Sequence, residues 1–191
     1  MHRVTLAVIA AVIAALSVAA VAGATTTKRK AHRAAKEIQT QHFRLDPSNG
    51  KLASCMPGAR IDAYVDLATD VVGFDQIRIR GRHLAPNRDY TVFLLEDAEA
   101  PFGAAEYIGD ISSDDEGNAR NTLHLIGEEA FASTLVNGKR VRVDLNRLGA
   151  WFADPADDDF CLGKNSPVTP FDGDDEAGVQ AFNSRNAAPL P

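Results

Sequence analysis

A chain of 191 residues, 45% hydrophobic and 24% charged, is long enough for one domain with a real core and short for two. Its formal charge of −6 is unevenly spread: residues 25–45 carry six Lys/Arg against one Asp/Glu, whereas residues 46–191 carry thirteen against twenty-five. Phosphate binding needs a cationic face that releases counterions, so this acidic bulk argues against nucleic acid as a partner of the body.

The chain begins Met-His-Arg, continues as an almost unbroken apolar run from Val4 to Ala22, and closes that run on Ala22-Gly23-Ala24. A positive start, an apolar stretch and an Ala-x-Ala end are the parts of a secretory signal, with cleavage between Ala24 and Thr25. The run is also close to the roughly 17–25 residues that span a bilayer, so an uncleaved N-terminal membrane anchor is the alternative. Lys28, Arg29, Lys30, Arg33 and Lys36 follow it at once. In an anchor those charges would hold the downstream side in the cytoplasm, a conflict that a cleaved signal escapes. Residues 25–50 read as a basic linker or arm. Ala31, Ala34, Ala35 and Ile38 fall at helical spacing, yet three alanines bury too little area to dock a helix. The arm is expected to be a solvated spacer whose five basic residues offer a contact for anionic lipid or cell-wall polymer.

The body, residues 51–191, opens with Cys55, and Cys161 stands near its other end; no other cysteine is present. In an oxidising compartment such a lone pair reads as one disulfide. Between them lie short apolar runs of period two. Ile61, Ala63, Val65 and Leu67 alternate with Asp62, Tyr64 and Asp66 as a half-buried first strand. Phe74, Ile77 and Ile79 alternate with Gln76, Arg78 and Arg80 as a second. Residues 90–95 are apolar on both sides and predict a central third strand. Tyr107, Gly109 and Ile111 make a fourth, Asn121, Leu123 and Leu125 a fifth, and the turn-rich residues 112–118 between them read as a hairpin.

One short helix is expected next. Glu128 and Glu129 put negative charge in a first turn, Phe131 and Leu135 are four apart, and Asn137-Gly138 offers a left-handed stop. Val141, Val143 and Leu145 form a sixth strand. Beyond Trp151 the chain fills with Asp, Pro, Gly and Asn, which predicts long C-terminal loops tied down by Cys161, with a last strand near residues 179–182. The fold class is therefore all-β, an antiparallel sandwich.

The segment Leu84-Ala85-Pro86-Asn87-Arg88-Asp89-Tyr90-Thr91-Val92 resembles the L-x-P-x-x-x-Y-x-V strand entry of fibronectin type III and immunoglobulin-like domains. That resemblance implies a tyrosine corner at Tyr90, whose hydroxyl would bond back to upstream backbone where the chain crosses between sheets. With Ile108-Gly109-Asp110-Ile111, Asp115-Glu116-Gly117-Asn118 and the tail from Phe171 to Gln180, the chain also resembles secreted proteins of high-GC Gram-positive bacteria. The likeness implies export and brings no activity with it.

Catalytic sets are missing from the sequence. His83 and His124, the body's histidines, lack a G-x-S-x-G elbow, and neither H-E-x-x-H nor C-x-x-C occurs. Acids cluster at Asp154/Asp157/Asp158/Asp159 and at Asp172/Asp174/Asp175/Glu176. Asp172, Asp174 and Glu176 stand at positions 1, 3 and 5 of a calcium loop, although Ala177 occupies the sixth position, where such loops need Gly. Calcium is the one cofactor the chain suggests. A hydrolase needs only two facing carboxylates, but the aromatics that line sugar clefts are few, and Trp151 reads as a plug beneath the final loops. The expectation is a secreted or cell-surface, non-enzymatic binding or structural domain. A calcium-dependent, carbohydrate-binding module is the alternative, followed by a carboxylate hydrolase.

Overall fold

A computed structural model describes residues 38–127, 130–169 and 176–190. The signal segment, the basic residues Lys28 to Lys36, Glu128, Glu129, Asp172 and Asp174 lie outside the described residues. Among those described, no helix is long and apolar enough to cross a membrane.

The fold is antiparallel β throughout. Period-two alternation works as expected in the first half of the body: β2 (Arg60–Leu67) buries every second residue, and β3 (Asp75–Arg82) turns Ile77 and Ile79 inward. β2 pairs with β3, and β3 with β6 (Ala119–Leu125). A second group is ordered β5 (Ala105–Ser112), β4 (Asp89–Leu95), β9 (Arg147–Phe152), β10 (Gln180–Asn183). Strand β1, Gln39–Pro47, joins the two groups. Residues 39–45 pair with β2, and residues 46 and 47 pair with β10. At the opposite edge a bridge between Ser113 and Ala119 ties the end of β5 to the start of β6.

With β2, β3, β4, β6, β9 and β10 lettered A, B, C, E, F and G, the two halves are A-B-E and C-F-G, with β5 added beside C. These are the neighbour relations of the immunoglobulin sandwich. Between the halves lies one core, to which Phe43, Ile61, Val65 and Ile77 come from the first half and Tyr90, Leu94, Phe152 and Phe182 from the second.

Several regions depart from expectation. Residues 112–118 do not close a hairpin but cross between the halves, because β5 pairs with β4 and β6 with β3, and Phe74 stands exposed just before β3. Residues 39–47 fall within the expected linker of residues 25–50, yet they form β1, because Phe43 and Leu45 alternate with polar neighbours and bury fully against the core. The helix expected around Phe131 is instead a hairpin, β7 (Phe131–Val136) and β8 (Lys139–Asp144), which among the described strands forms a separate two-stranded sheet. Phe131 and Leu135 are four apart, but a strand also places them on one face. Asn137 and Gly138 both take positive φ, at 51° and 76°, as a two-residue type I′ turn requires. The helices that do form are elsewhere and short: α1 (Gly50–Cys55), α2 (Thr69–Val72) and α3 (Asp159–Leu162), the last preceded by a 3-10 turn at Pro155–Asp158.

Asn49 caps α1, its side chain accepting from the Lys51 and Leu52 amides at 3.0 Å each. Cys55, the last residue of α1, is joined by a disulfide to Cys161 in α3, 106 residues along. Closing a loop of that length removes about 4–5 kcal/mol of chain entropy from the unfolded state.

Candidate functional site

The outer side of the A-B-E half, widened by β1, is open to solvent, and its register assembles side chains from distant parts of the sequence. One row across β1, β2, β3 and β6 reads His42, Tyr64, Arg78, Thr122; the next reads Arg44, Asp62, Arg80, Arg120; beyond it Arg60 faces Arg82. Six arginines thus share one face of a chain whose net charge is negative.

Part of that charge is neutralised. Asp66 pairs with Arg78 at 3.1 Å and accepts the Thr40 hydroxyl at 2.6 Å. Asp62 lies 3.0 Å from His42 Nε2 and 3.5 Å from Arg60. Arg44 is held by Asp46 at 2.8 Å. Arg80, Arg82 and Arg120 are exposed and have no carboxylate partner among the described residues. Two pairs of like charge stand directly opposite each other, Arg80 with Arg120 and Arg60 with Arg82. Such cross-strand pairs destabilise a sheet. In the middle, Tyr64 is enclosed: His42 stacks on it at 4.7 Å and 18°, and the guanidinium carbons of Arg78 and Arg80 stand 5.7 and 5.8 Å from its ring centre.

Tyr90, Trp151 and the described acids singled out from sequence fall elsewhere, while Asp172 and Asp174 lie outside the described residues. Tyr90 starts β4 just after the chain crosses from one half to the other, in the place of strand C; the tyrosine corner of antibody-like domains starts strand F. Its hydroxyl is fully buried, which raises its pKa strongly, and the Ala85 backbone opposes that rise without closing a well-formed hydrogen bond. Ser113 secures the crossing, donating to the Ala85 carbonyl at 2.7 Å and accepting from the Arg88 amide at 2.9 Å.

Three of the acids after Trp151 serve local structure. Asp154 caps the 3-10 turn through the Ala156 amide at 2.7 Å, Asp157 pairs with Arg88 at 2.8 Å, and buried Asp158 accepts from Ser166 and from the Val179 amide. Partial burial raises the Asp157 carboxyl above its ordinary value even though Arg88 pulls it down. Glu176 is exposed. A separate trio, Asp114, Asp115 and Glu116, gathers in the turn between β5 and β6, where Asp114 accepts from the Glu116 and Asn118 amides and so builds the turn itself.

Among the described residues neither His83 nor His124 is hydrogen-bonded to a Ser, Thr or Cys side chain. His83 is exposed in left-handed backbone, and His124 meets Gln76 at 3.1 Å and the edge of Phe74. Trp151 is fully buried against Phe93 and Phe102. At one end of the sandwich Asp97, Glu99, Arg147 and Arg185 line an open polar cleft of about 320 Å³, in which Arg185 holds Glu99 at 2.8 Å.

The cationic face escaped sequence reasoning because net charge averages over the chain. The available signal was Arg78-x-Arg80-x-Arg82, whose period of two puts all three guanidiniums on one side of a strand. Arg60 and Arg120 join them only through pairing. Comparison of the chain with protein-family models, curated proteins and solved structures returned no match.

Proposed function

We propose that this chain is an exported, non-enzymatic binding module that meets its ligand with the outer face of the A-B-E half. The observation that carries this reading is the pair of opposed arginine couples, Arg80 with Arg120 and Arg60 with Arg82. A face that served only solubility would alternate its charges; opposing like charges across a ladder costs stability and is relieved only when an anion arrives. Export is supported by the N-terminal signal pattern and by the disulfide, which suits an oxidising compartment. The fibronectin-like strand entry at residues 84–92 and the sandwich order suit a scaffold that presents a rigid face.

The test uses the oxidised full chain in co-sedimentation with isolated cell envelopes, alongside turnover assays on ester, peptide and glycan substrates. Binding that is lost in Arg80→Glu/Arg120→Glu, with no turnover, supports the reading. Turnover that disappears in Asp97→Asn or Glu99→Gln would overturn it in favour of a hydrolase working from the polar cleft.

A further inference from the structure

We infer that the ligand of this face is a linear phosphodiester polymer without bases, of the polyol-phosphate kind, bound along β3 and β6 by Arg80, Arg82 and Arg120. The inference rests on the binding-module reading above and names the chemistry that face would take.

Three features select this class. First, Arg80 and Arg82 are two residues apart on β3, so their side chains leave the sheet on the same side about 7 Å apart, while Arg120 stands directly across from Arg80 at about 5 Å. Cations repeated along a strand on an open surface fit an anion repeated along a chain. A single small anion would need a concave site that surrounds it. Second, the side chains are arginine without exception, and none of these three has a carboxylate partner among the described residues. The planar guanidinium grips a phosphate oxygen pair in two parallel hydrogen bonds. Third, the aromatic beside these arginines is already covered. His42 stacks on Tyr64, and Arg78 and Arg80 flank it, so its faces are not open to a base, while Phe74 and His124 at the far end of β3 and β6 meet edge to face. Single-stranded nucleic acids draw much of their affinity from such stacking.

Binding is by charge neutralisation, with no covalent step. Each phosphate contact releases condensed counterions, so affinity falls with salt. Three contacts predict a roughly 20-fold loss of affinity between about 50 and about 200 mM salt, taking a slope near 0.7 per contact.

The experiment titrates the oxidised full chain with poly(glycerol phosphate), with polygalacturonate, and with a single-stranded oligonucleotide of matched charge, at several salt concentrations. Poly(glycerol phosphate) is expected to bind with the stated salt dependence. Arg80→Ala/Arg82→Ala/Arg120→Ala should abolish that dependence, while Arg142→Ala on the β7–β8 hairpin should leave it unchanged. A melting curve of the triple variant that matches or exceeds the parent establishes that it is folded. Three results overturn the inference: an oligonucleotide that binds ten-fold or more tightly than poly(glycerol phosphate), a preference for polygalacturonate, or poly(glycerol phosphate) binding that the triple variant retains. If none of the polymers binds but envelope binding still depends on Arg80 and Arg120, the polymer is wrong and the binding module stands. Loss of both removes the module as well.

Discussion

The two halves of the sandwich turn opposite kinds of surface outward. On the C-F-G side the outer residues Phe93, Leu95 and Trp151 are buried, because residues 96–104 fold back over them and bring Phe102 onto the Trp151 ring at 5.0 Å. That cover is pinned by the Gln180 side chain, which donates to the Ala98 carbonyl at 3.0 Å, and by the Glu96 and Ala104 amides. On the A-B-E side no described segment covers the sheet, and its outer residues include arginines, acids and the Tyr64 ring beneath His42. The same strand geometry thus supports a second small core on one side and an unrelieved patch of charge on the other. Burial there follows what the connecting loop does, and only afterwards which residues the strand carries.

That contrast is open to direct attack through its two central aromatics. Trp151→Ala empties the covered side and is expected to cost about 3–5 kcal/mol in chemical denaturation, whereas Tyr64→Ala on the open side should cost about 1 kcal/mol or less. Equal costs would mean that the two faces are not energetically distinct. The open face should also contain residues whose removal helps. Arg80→Ala/Arg120→Ala relieves a like-charge pair and is expected to raise stability by about 0.2–1 kcal/mol at low salt, an effect that fades as salt is added. A melting temperature that falls would assign those arginines to the fold.

The smallest effect belongs to Asp157, behind the covered half. Burial raises its carboxyl, so the native protein holds the proton at a pH where the unfolded chain has already released it. Its contribution to stability therefore falls as pH rises from the ordinary carboxylate value through the raised one. Asp157→Asn should remove that slope from urea midpoints followed across acidic pH, and an unchanged slope would place its origin elsewhere.

These two faces also explain which parts of the fold could be read from sequence. Strands β2, β3 and β6 alternate because one side meets water and the other the core, and that pattern was legible. β4 was legible as an all-apolar run. β9 was not, since Arg147–Phe152 buries both sides and carries no alternation. β1 was hidden by the basic composition before it, although Phe43 and Leu45 already alternate. In β7 the spacing of Phe131 and Leu135 satisfies both a helix and a strand, and the Asn-Gly turn was the signal that separates them. The pairing of Cys55 with Cys161 followed from their being the only two cysteines. The cationic face was half legible, since β3 shows its three alternating arginines, but the couple of Arg80 with Arg120 exists only through strand register across forty residues.

The bond between Cys55 and Cys161 encloses every residue from β2 to β9, including the exposed tip of the β7–β8 hairpin, where Leu135 and Val136 stand in solvent. A protease that cuts this tip opens the chain without releasing a piece of it. The two fragments remain one molecule, the second supplying β9 and β10 to the half that the first builds with β4 and β5, and migrate apart only when the thiols are reduced. The projecting loop is thereby a place where the polypeptide tolerates being broken.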